Sequence, residues 1–114
     1  MSSLLAELKT IMDTLKVPNE IGIYKAQPAP DQFAVFVPLS DETQNADDRP
    51  DNEVQAVRIS IFSKSNYRAL ARSIADAVLD ADIVITERRY IGHEDETGYH
   101  HYAIDVEKNY LWEE

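Results

Sequence analysis

An α+β fold is expected for this chain: two layers, with a mostly antiparallel or mixed sheet of four to five strands and two helices packed on one face. Two segments carry apolar residues at helical spacing, one at the start and one near residue 70. The stretches between and after them alternate instead at strand spacing. The resulting order, α-β-β-β-α-β-β, gathers helices over one face of a largely antiparallel sheet. At 114 residues the chain reads as a single domain over residues 1–114, large enough to hold a core without staples.

The first helix is expected over residues 3–16. Leu4, Leu8, Ile11 and Leu15 make its stripe, and Leu5 and Met12 widen it. Ser2 or Ser3 can cap its start, and Pro18 stops it, because proline lacks an N–H and disfavours helix in the residue before it. Two short apolar runs follow, Ile21–Lys25 and Phe33–Pro38, joined by a proline-bearing linker. Phe33, Val35 and Val37 alternate with Ala34 and Phe36, so both faces of that strand are apolar and both need cover.

Residues 39–53 are nearly free of large apolar side chains, and a mobile acidic loop is expected there. Val54–Ser63 is the clearest strand, with Val57, Ile59 and Ile61 on one face and Arg58, Ser60 and Phe62 on the other. A second helix is expected over residues 66–80, capped by Ser65 or Ser63, with Tyr67, Leu70, Ala71, Ile74, Ala77, Val78 and Ala81 as its apolar stripe. The last third reads as a hairpin with arms Ile83–Ile91 and Tyr99–Lys108. Gly98 is placed to supply a positive φ in its acidic turn. Tyr110, Leu111 and Trp112 then put large apolar groups at the end, where they dock back on the domain or meet a partner.

Composition removes several chemistries. There is no cysteine, so disulfides, thiolate nucleophiles and cysteine metal sites are excluded. No run of apolar residues approaches a membrane-spanning length, and no membrane association is expected. MSSLLAELKT lacks the basic start and cleavage site of a secretory signal, so an intracellular protein is expected. The net charge of −10 is uneven: residues 41–53 carry −5 and residues 94–114 carry −6, while residues 54–93 carry +2. Two such acidic blocks repel phosphates, so groove-reading nucleic-acid binding is disfavoured. Arg58, Arg68, Arg72, Arg88 and Arg89 are expected on solvated faces, paired with Asp76, Asp80 and Glu87.

No catalytic site is expected. His100 and His101 are adjacent, so on a strand they point to opposite faces and cannot share one metal, and His93 lies off in the turn. Asp47, Asp48, Asp51 and Glu53 miss the alternate spacing of a calcium loop, and their stretch lacks its glycine. No glycine-rich phosphate cradle or glycine-flanked serine turn is present, and neither metal nor cofactor is expected.

Taken in order, several short motifs resemble one family. VPNEIGIY after the first helix, the NADD stretch (Ala46, Asp47 and Asp48) before a strand, and the Lys64-to-Tyr67 junction into the second helix follow its pattern. In EDETGYHH, residues Glu94, Glu96, Thr97, Tyr99 and His100 look like its acid-x-acid-Thr-x-Tyr-His signature. His101 stands where a lysine is usual, and Glu96 where an aspartate is. The chain is similar in this way to the tail terminator, or tail completion, proteins that join tail to head in long-tailed phages and prophages.

The resemblance implies a non-enzymatic virion protein, made in the host cytoplasm, that forms a ring of commonly six subunits on the end of the tail tube. Its implied partners are itself, the tail tube protein and the head-completion or connector protein, while DNA passes through without specific binding. On this reading the acids Asp41, Glu42, Asp47, Asp48, Asp51 and Glu53 line the lumen or face a partner. Phe33, Val35 and Val37, or Tyr110, Leu111 and Trp112, supply a subunit contact. The alternatives are another head-tail connector or minor capsid component, or an acidic regulator that mimics DNA. A small enzyme is the remaining option, for which only the histidines speak.

Overall fold

The computed structural model describes residues 3–25, 27–46 and 49–112. Its elements are α1 (Leu4–Thr14), β1 (Asn19–Ile21), β2 (Gln32–Ala46), β3 (Arg49–Ser63), α2 (Tyr67–Asp80), β4 (Val84–His93) and β5 (His100–Leu111). One open sheet has strand order β1-β2-β3-β5-β4, with β1 parallel to β2 and every other pair antiparallel. The fold is α+β with a five-stranded mixed sheet. No described helix is long and apolar enough to cross a membrane.

The core forms where the two periodicities meet. Leu4, Leu8 and Met12 of α1 and Ala71, Ile74, Ala75 and Val78 of α2 bury against one face of the sheet. That face presents Ala34 and Phe36 of β2, Val57, Ile59 and Ile61 of β3, and Ile104 and Val106 of β5. Both helices therefore share one side. Each buried Leu, Ile or Phe contributes about 1.5–3 kcal/mol on leaving water, and this layer holds most of them.

Local signals end the elements. The Ser3 side chain accepts from the Ala6 N–H, as an N-cap should. α1 stops before Lys16, which takes a left-handed φ of 60°, and the Val17 N–H then closes onto the Met12 carbonyl. At α2 the cap is Asn66 and not Ser63 or Ser65: its Oδ1 accepts from the Ala69 N–H. Ser63 is buried, where its hydroxyl takes bonds from the Ser65 N–H and the Gln32 amide. β1 is only three residues long because Gly22 turns the chain with φ at 84°. The run expected to reach Lys25 is cut short there.

The apolar second face of β2 is also explained. Phe33 and Val35 pack away from the helices with Tyr99, under Tyr24, Ala29 and Phe62. The Phe33 ring stacks on Phe62 at 4.9 Å and meets Tyr99 edge-on at 5.3 Å. The linker thus covers the second face from within the chain.

The main departure concerns residues 39–53, expected as a mobile loop. Residues 39–46 and 49–53 instead form the outer part of a long hairpin, with β2 paired to β3 from Gln32↔Ser63 out to Ala46↔Arg49. Composition was a poor guide because a ladder needs paired backbone groups, and its side chains can all stay in water. β5 supports the same stretch from the other edge, pairing Glu53 with Tyr110 and Asn52 with Leu111. Pro38 falls where β2 has passed beyond β1 and become an edge, and the pairing shifts by one residue beside it, at Leu39. Asp47 and Asp48 lie outside the described residues, as does Ser2.

Ile59→Ala is expected to cost about 3 kcal/mol of unfolding free energy, because the side chain is fully buried beneath both helices. Thr43→Ala, on the exposed outer hairpin, is expected to change it by less than about 0.5 kcal/mol. Urea titration of both variants checks the contrast.

Candidate assembly interface

Three regions hold the residues singled out from the sequence. The first is the outer half of the β2–β3 hairpin, where every residue from Val37 to Asn45 is exposed. Asp41 pairs with Gln55 and Glu42 with Val54, so these adjacent acids stand on opposite faces of the ribbon. Gln55 is on the helix side, where its Oε1 accepts from the Leu4 N–H, and so Asp41 shares that side. The carboxylates of Asp41, Glu42 and Asp51 have no hydrogen bond or ion pair among the described residues. Glu53 is half-buried and accepts from the Gln55 amide.

The second region is the turn between β4 and β5, which carries the EDETGYHH motif. Its residues close on one another. The Gly98 N–H donates to the Glu94 carbonyl at 2.8 Å, and the Glu94 N–H donates to the Tyr99 carbonyl at 2.8 Å. Thr97 Oγ1 donates to the Glu94 carboxylate at 2.9 Å, and Gly98 has φ at 84°. The Tyr99 hydroxyl donates to the Pro30 carbonyl at 2.7 Å, pinning the linker across the sheet. Glu96 is exposed at the tip. The signature residues Glu94, Thr97 and Tyr99 therefore shape a turn and hold the second apolar cluster.

His100 and His101 do point to opposite faces. His100 sits on the helix side, its Nδ1 3.0 Å from the Tyr90 hydroxyl and its ring 5.1 Å from Tyr67 and 4.7 Å from His93. His101 stacks on Phe62 at 4.3 Å on the other side, with a buried Nε2 that has no partner among the described residues. Burial lowers its pKa below 6.5, with Arg58 acting in the same direction and Glu94 opposing. No three His, Asp or Glu side chains among the described residues come together as metal ligands.

The third region was not foreseen. Arg68 and Arg72 of α2 and Arg88 of β4 line an open groove of about 590 Å³ with Tyr67, Tyr90 and Tyr102. β4 pairs Arg88 with Ile104 and Tyr90 with Tyr102, which places Arg88 and Tyr90 on the helix side, facing α2. The Tyr67 ring lies 5.2 Å from Tyr90 and 5.8 Å from Tyr102. The expected pairing of these arginines with Asp76, Asp80 and Glu87 is not found: none of the three is in an ion pair among the described residues. Arg58 alone of the set is bound, to Asp105, its direct cross-strand neighbour, through bonds of 2.8 and 3.0 Å. That fork raises the Arg58 pKa further.

The expected apolar contacts divide. Phe33, Val35 and Tyr110 are buried within the chain and offer no free patch, because the linker and α1 already cover them. Val37 and Leu111 stay exposed, and Trp112 is half-buried with its N–H donating to the Asp51 carbonyl. The Tyr110 hydroxyl donates to Glu7, which also holds Lys108 at 2.9 Å. Burial and the Glu7 bond push the Tyr110 phenol well above its usual range.

Neither models of known protein families nor curated proteins give a match to this chain.

Tyr99→Phe is expected to lose about 1 kcal/mol of stability, measured by urea unfolding, since it removes the bond to Pro30 and keeps the ring packing. His101 sets a pH dependence. The unfolded chain binds its proton more readily than the folded one, so stability is full above about pH 6.5 and falls as pH drops through that value. His101→Phe keeps a stacking ring, and its urea midpoint is expected to vary less between about pH 7 and 5.5 than that of the parent.

Proposed function

We propose that this chain is a structural, non-enzymatic subunit that assembles head to tail into a closed ring capping a phage or prophage tail tube. The observation that carries the reading is the acidic hairpin that continues past the helical layer. Every residue of its first strand from Val37 to Asn45 is exposed, and the molecule measures 53 × 25 × 24 Å. A closed ring needs two different patches on each subunit, and a projecting arm at one end of the sheet is a natural one. The resemblance of its short motifs, EDETGYHH above all, to those of tail terminator proteins points the same way.

The partners on this reading are other copies of the chain, the tail tube protein and the head-side connector protein, within the virion and earlier in the host cytoplasm. A net charge of −10 suits a ring through which DNA slides, because phosphates find a repelling surface overall. Another head-tail connector would share every one of these features and differ only in its binding target.

Light scattering after size exclusion, with and without purified tail tubes, tests the proposal. The expected species is a closed oligomer of about six subunits, formed freely or on the tube end. A strict monomer under both conditions overturns it, and binding to portal complexes in place of tubes assigns the chain to the connector side.

A further inference from the structure

We propose that the groove lined by Arg68, Arg72 and Arg88 is the receiving site for the acidic β2–β3 arm of a second copy of this chain. The inference rests on the head-to-tail ring reading and names the contact that would close it.

The groove has the chemistry of a carboxylate site. Three arginines from two elements line it, Arg68 with its guanidinium 5.7 Å from the Tyr67 ring centre, and none is engaged by a carboxylate among the described residues. Tyr67, Tyr90 and Tyr102 form an aromatic wall behind them. Such a wall holds water away from a docked carboxylate and strengthens its pairing with arginine. Arginine also offers two parallel N–H donors to a carboxylate, which fixes direction as well as charge.

The arm supplies the matching groups. Asp41, Glu42 and Asp51 are exposed and unpaired among the described residues. The acidic turn at Glu94–Thr97 is a poorer partner, because Glu94 is bonded by Thr97 and Asp95 lies 3.0 Å from His93, which leaves Glu96 alone exposed and unengaged there among the described residues. An extended ribbon with acids on both faces also fits an open groove better than a compact turn does.

Within one chain the two cannot meet. Arg88 pairs with Ile104 and Ile104 with Ile59, eight residues along β3 from Asp51, a separation of about 26 Å along the strand. Asp41 pairs with Gln55, about 13 Å from the same level. It also lies on β2, three strands from Arg88 on β4, or about 14 Å across the sheet. An arm at one end and a groove at the other make unlike patches, as a closing head-to-tail contact requires. The alternative occupant, a nucleic-acid phosphate, is disfavoured by the chain's overall −10.

A charge swap tests the contact. The arm variant carries Asp41→Lys, Glu42→Lys and Asp51→Lys, and the groove variant carries Arg68→Glu, Arg72→Glu and Arg88→Glu. Masses are measured by light scattering for the parent, for each variant and for their equimolar mixture, with circular dichroism reporting folding. Each variant alone is expected to need at least tenfold more protein than the parent to assemble. The mixture is expected to regain the parent's mass, because each altered element then meets its complement on the other variant. Raising salt from about 0.05 to 0.5 M is expected to shift the parent's midpoint upward in the same sense.

If both variants assemble as the parent does, the docking is wrong and the ring reading survives. If the parent itself is monomeric, alone and on tail tubes, both fall. If the groove variant assembles normally yet loses the parent's binding to a short DNA duplex, the groove serves phosphates and the proposal is overturned. Should the triple variants unfold, the pair Arg88→Glu and Asp41→Lys carries the same swap with two changes.

Discussion

The architecture depends on the register of β3. This strand is paired along both edges, to β2 and to β5, and its alternation decides what each face of the sheet receives. Val57, Ile59 and Ile61 go under the helices, while Arg58, Ser60 and Phe62 go to the other side. A slip of one residue would exchange the two sets, burying a guanidinium and exposing three branched apolar chains. The Arg58–Asp105 fork fixes that same register on the uncovered face, since the two residues are direct cross-strand partners. Against β5 this register runs unbroken out to Asn52, whereas against β2 it steps by one residue at Leu39 on entering the acidic arm.

Polar contacts then fasten the helical layer to the sheet. Lys108 of β5 reaches the Glu7 carboxylate of α1 and the Ala81 carbonyl at the end of α2, at 2.9 and 3.0 Å. The Tyr110 hydroxyl meets the same Glu7. One half-buried lysine therefore joins both helices to the last strand, and its desolvation is offset by two directed acceptors. The far face is handled differently. There the linker lays Tyr24 and Ala29 over Phe33, and Tyr99 bonds back to Pro30, so a loop takes the place of a third layer.

This division separates a rigid body from a projecting arm of opposite chemical character. The body has a cationic, aromatic-walled groove between α2 and β4, and the arm carries unpaired carboxylates at the other end of the sheet. Three motif residues of the final turn are spent on structure: Glu94 and Thr97 close it, and Tyr99 anchors it.

The sequence by itself determined the two helices, the apolar faces of β3 and β5, the turn at Gly98 and the α+β class, because each rests on a local period or a local cap. It also placed His100 and His101 on opposite faces, since that follows from strand geometry alone. Only the tertiary structure decided the rest. The polar residues 39–46 and 49–53 are strand because β2 and β3 pair with each other, joined by β5 at Asn52 and Glu53, and pairing of this kind leaves no mark in composition. Phe33 and Val35 are covered by their own linker, which no periodicity indicates. The arginine groove joins Arg68 and Arg72 to Arg88 across two elements, and side chains brought together by packing are invisible to spacing along the chain.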